Sequence, residues 1–382
     1  MNKLEDLIFQ TDLASLPSEV LREVTIKRYG MDQGNSLDGL MDSLWSMSAD
    51  NKEHLSHAVN YAFAGKVAVS WYFAAENDLK QAMEKLAKGN PNVFSKIMRY
   101  DEDTLVKGRV HVVGGVRLSP DFYVIRMLTM VGKRRVANGP SFVYRPQVHS
   151  GLAIISAKDE VLEIRANNKA KKYFEEFFAN LLSIPNDQLN PKQLASFAES
   201  IDNLAIKLGG TVGPVSSKPG EDIELIAEDE QDVIIEILEA VSAYIASGDL
   251  EVVARELSEG RGALAESILI NTPLASVFAG SLQRIGLKPK KEEDTRNSLI
   301  YRWLRSYLEH QNADVVFSVI EGDGSTAVHT VGIGVESNSI FFRTKASERA
   351  IRKIRPVILD AEDMVSEWDI LLGGEIEDEQ TA

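Results

Sequence analysis

From residue 106 to 165 the chain turns to alternating and β-branched residues broken by Gly and Pro, the two-residue period of pleated strands. Strands are expected near 109–116, 122–131, 141–148, 152–157 and 161–165, an antiparallel meander. The hundred residues before it read as helical. Pro17 suits a first helical turn, Gly30 a stop, and Ser36 a cap for Leu37, Leu40, Met41 and Leu44 at helical spacing. Helices over 50–64 and 67–88 follow, and Gly89, Asn90 and Pro91 end the second.

After the meander, Asn167 or Asn168 caps a helix to about Leu182, and Pro191 opens another that ends at Gly209-Gly210. The Gly, Pro and Ser content of 210–222 predicts a mobile loop or linker. Helices are expected again over 231–247, 251–257, 263–285 and 294–310. A second β patch then lies near 314–321, 327–335 and 339–344, before a basic helix starting at about Ser347. Residues 157–165 align without gaps over 335–343, and both segments lead into a helix bearing Lys or Arg, the pattern of a strand-strand-helix duplication.

The expected fold is therefore α+β. It has a helical domain over 1–98 and an α+β domain over 104–360. The latter holds an antiparallel β part (106–166), a long helical insertion (167–311), further strands (312–345) and a basic helix (347–359). An acidic tail follows over 361–382.

Charge narrows the function. The net charge of −15 argues on average against a polyanion partner, but the charge is segregated along the chain. Between Lys107 and Lys172 thirteen Lys and Arg face four acids, a net of +9, while 221–260 holds thirteen acids and one Arg, a net of −12. From Pro356 to Ala382 there are nine acids and no base. The chain has no Cys, which removes disulfides, thiolate metal sites and Cys nucleophiles and fits a reducing compartment. Acids mixed into residues 1–6 do not resemble a secretion signal, and no apolar run approaches the ~20 residues of a membrane span. A cytoplasmic location is the expectation.

The sharpest cationic feature is Lys133-Arg134-Arg135 between two strands, ahead of Asn138, Gly139 and Pro140. Read as a basic hairpin tip, it would neutralise phosphates along a groove, with Arg109, Arg117, Arg126, Arg145, Lys169, Lys171 and Lys172 extending the footprint. Phe122, Tyr123, Phe142 and Tyr144 are interleaved, but alternation sends some of them to the core, so no stacking platform is expected. The plainer reading is a charged edge that discourages sheet aggregation. The C-terminal helix region adds Arg343, Lys345, Arg349, Arg352, Lys353 and Arg355 against Glu348. The acidic segments offer an internal partner for all these cations.

Leu16, Leu21, Ile26, Tyr29-Gly30-Met31, Gly34, Leu37, Leu40 and Leu44 resemble the helix, extension and helix of the SAP motif, although Asn35-Ser36 stands where a basic residue commonly follows the glycine. The order of a helical N-terminal part and interrupted β-domain, with Phe122-Tyr123-Val124-Ile125-Arg126, Pro140-Ser141-Phe142-Val143-Tyr144 and Gly151-Leu152-Ala153-Ile154-Ile155-Ser156, resembles the centromere protein N family. That resemblance implies a pyrin-like helical domain, DNA and chromatin binding through basic residues, and pairing with a related subunit through the β-domain.

Signs of catalysis are sparse. Pro120-Asp121 and Glu163-Ile164-Arg165 resemble a degenerate PD-(D/E)xK nuclease pattern, with Arg165 where a lysine would steer water. His54 and His57 share a helical face without a third ligand nearby, and His111, His149 and His329 lie in or near strands. Glu321-Gly322-Asp323-Gly324-Ser325 reads as a hairpin turn rather than a phosphate loop. Trp303, Tyr301 and Tyr307 form a stripe more typical of core packing than of an interface. The sequence thus points to a non-enzymatic nucleic-acid-binding protein, DNA ahead of RNA, with no cofactor. The alternatives are a protein-interaction subunit or homo-oligomer without nucleic-acid contact, and a divalent-metal nuclease.

Overall fold

The computed structural model describes residues 2–28, 30, 36–64, 67–101, 104–139, 141–184, 189–194, 198–219, 285–287, 294–297, 301–302, 305, 308–321 and 324–359. The fold is α+β with helices leading, and the chain forms two compact units, 1–194 with 317–382, and 195–316. These units divide the chain differently from the expected domains at 1–98 and 104–360. The N-terminal residues belong to the first unit because of one strand, β1 (Ala68–Phe73), which the helical reading of 67–88 hid.

β1 is a run of aromatic, β-branched and small residues, buried except at Phe73. It pairs antiparallel with β5 (Val161–Ala166) on one side and β11 (Ser339–Phe342) on the other. The first hundred residues therefore supply a central strand of the sheet. In the first unit the strand order is β2 (Val110–Ser119), β3 (Phe122–Asn138), β4 (Ser141–Ser156), β5, β1, β11 and β10 (Thr326–Gly334). The two-residue β6 (Asn190–Pro191) also pairs with the end of β1.

Each face of this sheet is covered. Tyr123, Ile125, Met127, Ala153, Ile155, Leu162 and Ile164 pack with α4 (Asp78–Lys88) and α5 (Asn168–Leu181) through Leu79, Met83, Phe174 and Phe178. Gly151 permits the close approach of α5, since a Cβ there would meet the Phe174 ring at 2.3 Å. The opposite face carries Trp71, Arg126, Glu163 and Arg165. It meets the N-terminal segment, which carries α1 (Ser18–Arg22), α2 (Leu37–Met47) and α3 (Ser56–Ala62), through Asp12 and the Phe63 carbonyl after α3, and it meets the C-terminal helix Glu348–Leu359.

That second face is held by ions rather than by apolar packing alone. The Arg165 guanidinium donates to Glu163 (2.6 Å), to Glu348 (2.7 Å) and to the Phe63 carbonyl (3.1 Å). Arg355 donates to Glu163 at 2.8 Å and to Glu348 at 3.1 Å, and Trp71 Nε1 donates to Glu163 at 2.7 Å. Burial opposes the charged form of Glu163, yet Arg355 and Arg165 outweigh it and lower its pKa to about 2. Glu348 is likewise lowered against burial, chiefly by Arg165.

The two strand-strand-helix units are present as β4-β5-α5 and β10-β11 with the C-terminal helix. At the turns, Glu160 and Asn338, which the sequence alignment pairs, both take left-handed backbone with φ of 53° and 44°. In the second unit, α6 (Ala198–Lys207) precedes β7 (Thr211–Pro219), which pairs with β8 (Ile285–Leu287) and β9 (Leu308–Ile320). The expected loop at 210–222 is thus largely a strand, and the expected helical insertion contains strands. β9 occupies the end of the helix expected over 294–310. Residues 231–284 of the expected helices, Trp303 and Tyr307, and the acidic tail lie outside the described residues, while Ile285, expected to end a helix, opens β8.

Replacing Glu163 by Gln leaves Arg165 and Arg355 buried with a neutral partner and is expected to destabilise the protein by about 3–5 kcal/mol in urea unfolding. Asp121→Ala, which removes the half-exposed Lys80–Asp121 pair at 3.6 Å, is expected to change stability by less than about 1 kcal/mol. In acid, the contribution of Glu163 is fully present above the ordinary carboxylate value of 4.5 and is lost as pH falls toward about 2. Glu163→Gln is therefore expected to flatten the acid limb of the stability profile in that window.

Candidate nucleic-acid interface

β3 and β4 are much longer than their neighbours. β2 accompanies β3 only as far as Val110↔Thr129, with an isolated bridge from Lys107 to Met130, and β5 accompanies β4 only from Gly151↔Ala166. Beyond those points the register from Gly132↔Gln147 to Asn138↔Ser141 pairs β3 and β4 with each other alone among the described residues. A register shift between Met130 and Gly132 marks where this ribbon leaves the sheet, as a bulge bends and twists a strand. Seven residues of strand, Gly132 to Asn138, at about 3.4 Å each make an arm on the order of 24 Å long.

The sequence expectation placed Lys133-Arg134-Arg135 at a hairpin tip and ended the strands at 131 and 148. The triplet instead lies within β3, opposite Pro146, Arg145 and Tyr144, and the turn is at Gly139, whose φ is +59°. Paired residues of an antiparallel ladder share a face. One face therefore presents Lys133, Arg135, Phe142 and Tyr144, and the other presents Arg134, Val136, Val143 and Arg145. Lys133, Arg134, Arg135 and Arg145 are all exposed, and residues 131–150 contain no acid. Arg134 and Arg145 stand directly opposite each other, a like-charge pairing that opposes ribbon formation.

The aromatic residues behave differently from expectation. Phe122 and Tyr123 are buried, but Phe142 is 54% and Tyr144 68% exposed. Arg135 Cζ lies 3.5 Å from the Phe142 ring centroid, a cation–π stack that leaves the ring on the surface.

The other cations separate by burial. Arg126 is only 4% exposed. Its Nη2 donates to Asp12 at 2.7 Å and Ser150 at 2.9 Å, and its guanidinium lies over Phe9, so it clamps the N-terminal segment to the sheet instead of joining the exposed ribbon. It lines a cavity of about 340 Å³ with Asp12, Phe63, Ser150 and Asn167. Lys171 donates to the Ser337 carbonyl at 2.7 Å, and burial lowers its pKa. Lys345 donates to the Leu16 carbonyl at 2.5 Å, Lys353 to Ser318 at 2.9 Å and Arg349 to Ile320 at 3.4 Å, which ties these side chains to neighbouring backbone.

Lys169 and Lys172 are exposed on α5, with Glu176 3.6 Å from Lys172, and Arg343 is exposed over the Phe341 ring. Arg352 is half-buried on the C-terminal helix, and Arg355 belongs to the buried ion network. The ribbon is thus the part of the expected footprint that concentrates exposed cations and rings.

The carboxylates of the nuclease pattern have separate roles. Asp121 pairs with Lys80 at the surface, while Glu163 is wholly buried against two arginines. Among the described residues no group of three or more His, Asp and Glu is placed to hold a metal. His329 Nε2 lies 3.3 Å from Glu321 in the core, and His111 packs edge-on to Tyr100. The backbone of Glu321 closes the β9–β10 connection, its N–H donating to Ser325 at 2.8 Å, as expected of a hairpin. Tyr301 is buried and donates to Asp202 at 2.9 Å. Of the SAP-like stretch, Tyr29, Met31 and Gly34 lie outside the described residues. Among those described, no helix is long and apolar enough to cross a membrane. Compared with family models, curated proteins and solved structures, the chain matches none.

Proposed function

We propose that this protein binds nucleic acid, DNA in the first instance, and that the β3–β4 ribbon is its gripping element. The observation that carries the reading is the acid-free arm on which Lys133, Arg134, Arg135 and Arg145 are all exposed, whereas Arg126 and Lys171 of the same region are engaged internally. A polyanion supplies what such an arm lacks. Phosphates placed along it relieve the repulsion between Arg134 and Arg145 and release condensed counterions from the strand. The layout resemblance to the centromere protein N family points in the same direction. The function is binding without catalysis, and the sheet serves as the rigid base from which the arm projects.

Affinity for a labelled mixed-sequence DNA is expected to fall steeply with salt. In the Lys133→Ala/Arg134→Ala/Arg135→Ala variant, the slope of log affinity against log salt is expected to be shallower by about 2–3, roughly one phosphate contact per cation removed. Absence of binding by the full chain at low salt, to duplex and single strand alike, would overturn the reading and leave a protein partner for the ribbon. Equal slopes for the two proteins would place the phosphate grip elsewhere.

A further inference from the structure

The two faces of the ribbon are chemically unequal. Arg134 and Arg145 share theirs with Val136 and Val143, which offers charge and no ring. The other face sets Phe142 and Tyr144 two residues apart on β4, with Lys133 and Arg135 beside them on β3. Residues at i and i+2 of a strand project in the same direction about 7 Å apart. Two exposed rings at that spacing form a surface on which flat groups can lie, with a cation next to each.

Exposed rings of this size are unfavourable in water unless something covers them. A phosphate backbone cannot do so, since it meets cations and not π-faces. A base in a duplex cannot either, because its faces are already stacked. An unpaired base offers a free π-face and carries its phosphate within reach of the neighbouring Lys or Arg.

We infer that the Lys133/Arg135/Phe142/Tyr144 face is a stacking surface for unpaired bases, so that single-stranded nucleic acid is the preferred ligand of this ribbon. The inference rests on the proposed nucleic-acid function and narrows it. Tyr144, the more exposed ring and the register partner of Arg135, is the principal stacking side chain. Phe142, already stacked on Arg135, presents the second position. The Arg134/Arg145 face holds phosphates whichever form the nucleic acid takes. Recognition is tolerant of sequence, because every base has a π-face.

The test is a comparison of one fluorescent mixed-sequence DNA strand with its own duplex, at low salt and over a salt series. The proteins compared are the full chain and its Tyr144→Ala, Tyr144→Phe, Phe142→Ala/Tyr144→Ala and Arg134→Ala/Arg145→Ala variants. The full chain is expected to bind the single strand more tightly than the duplex. Tyr144→Ala is expected to weaken single-strand binding at least about fivefold, with duplex binding within twofold. Tyr144→Phe keeps the ring and is expected to restore single-strand affinity, which a loss through misfolding would not do. Arg134→Ala/Arg145→Ala is expected to weaken both ligands together.

Duplex binding equal to or tighter than single-strand binding, with no selective loss in the ring variants, would overturn the stacking surface and leave the phosphate-gripping arm standing. Failure of the full chain to bind either ligand at low salt would overturn both.

Discussion

Four charges, three of them buried and Glu348 partly so, join the parts of the first unit. Glu163 and Arg165 lie on β5, Glu348 and Arg355 on the C-terminal helix, Trp71 on the central strand, and the Phe63 carbonyl at the end of α3. α3 and the central strand are consecutive, but β5 and the C-terminal helix come from distant parts of the chain, and each segment presents a charge or a dipole that another must satisfy. An ion buried alone is very costly, so the partners have to arrive together, and assembly of this face becomes nearly all-or-none. A fully apolar seam of the same volume could equal it in stability. The ions add direction, because the Arg165 guanidinium is planar and fits only one placement of Glu163, Glu348 and the carbonyl at once.

Direction matters for what the sheet carries. A two-stranded ribbon on its own is at best marginally stable in water, and this one bears opposed like charges and exposed rings. It persists as an arm because its root is fixed on both faces. On one face Phe174 presses on Gly151, and on the other Arg126 links Asp12 to Ser150. Arg126, read from sequence as part of the nucleic-acid footprint, thus supports the ribbon from beneath.

The α+β class, the meander, the second β patch and the paired turns were legible because each is written in local periodicity and turn chemistry. β1 was not. A central strand buried on both faces has no alternation to display, and Ala68–Phe73 runs toward a true helix at Asp78–Lys88 with only a short connection. The strand β7 was obscured because Gly, Pro and Ser mark loops only on average, and pairing with β8 and β9 supplies what propensity lacks. The charge excess of the β region was visible, but its division was not. Composition counts Arg126 and Arg134 alike, whereas one is buried against Asp12 and the other is exposed.

The aromatic residues show where sequence reasoning stops for a physical reason. Alternation says that Phe142 and Tyr144 share a face, and experience of sheets says that an aromatic face is a core face. That inference holds only while a second layer lies over the strand. Layers end where neighbouring strands end, and β2 and β5 end at Val110↔Thr129 and Gly151↔Ala166, pairings that the pattern around 142 and 144 does not encode. The same residues that would be core one pleat row inward become a surface of rings and cations once the ribbon passes Val110 and Ala166. Whether these rings lie in a core or on a surface therefore depends on strand length as much as on residue type. Extending β2 or β5 by a few residues would cover an edge of the ribbon without changing any of its side chains.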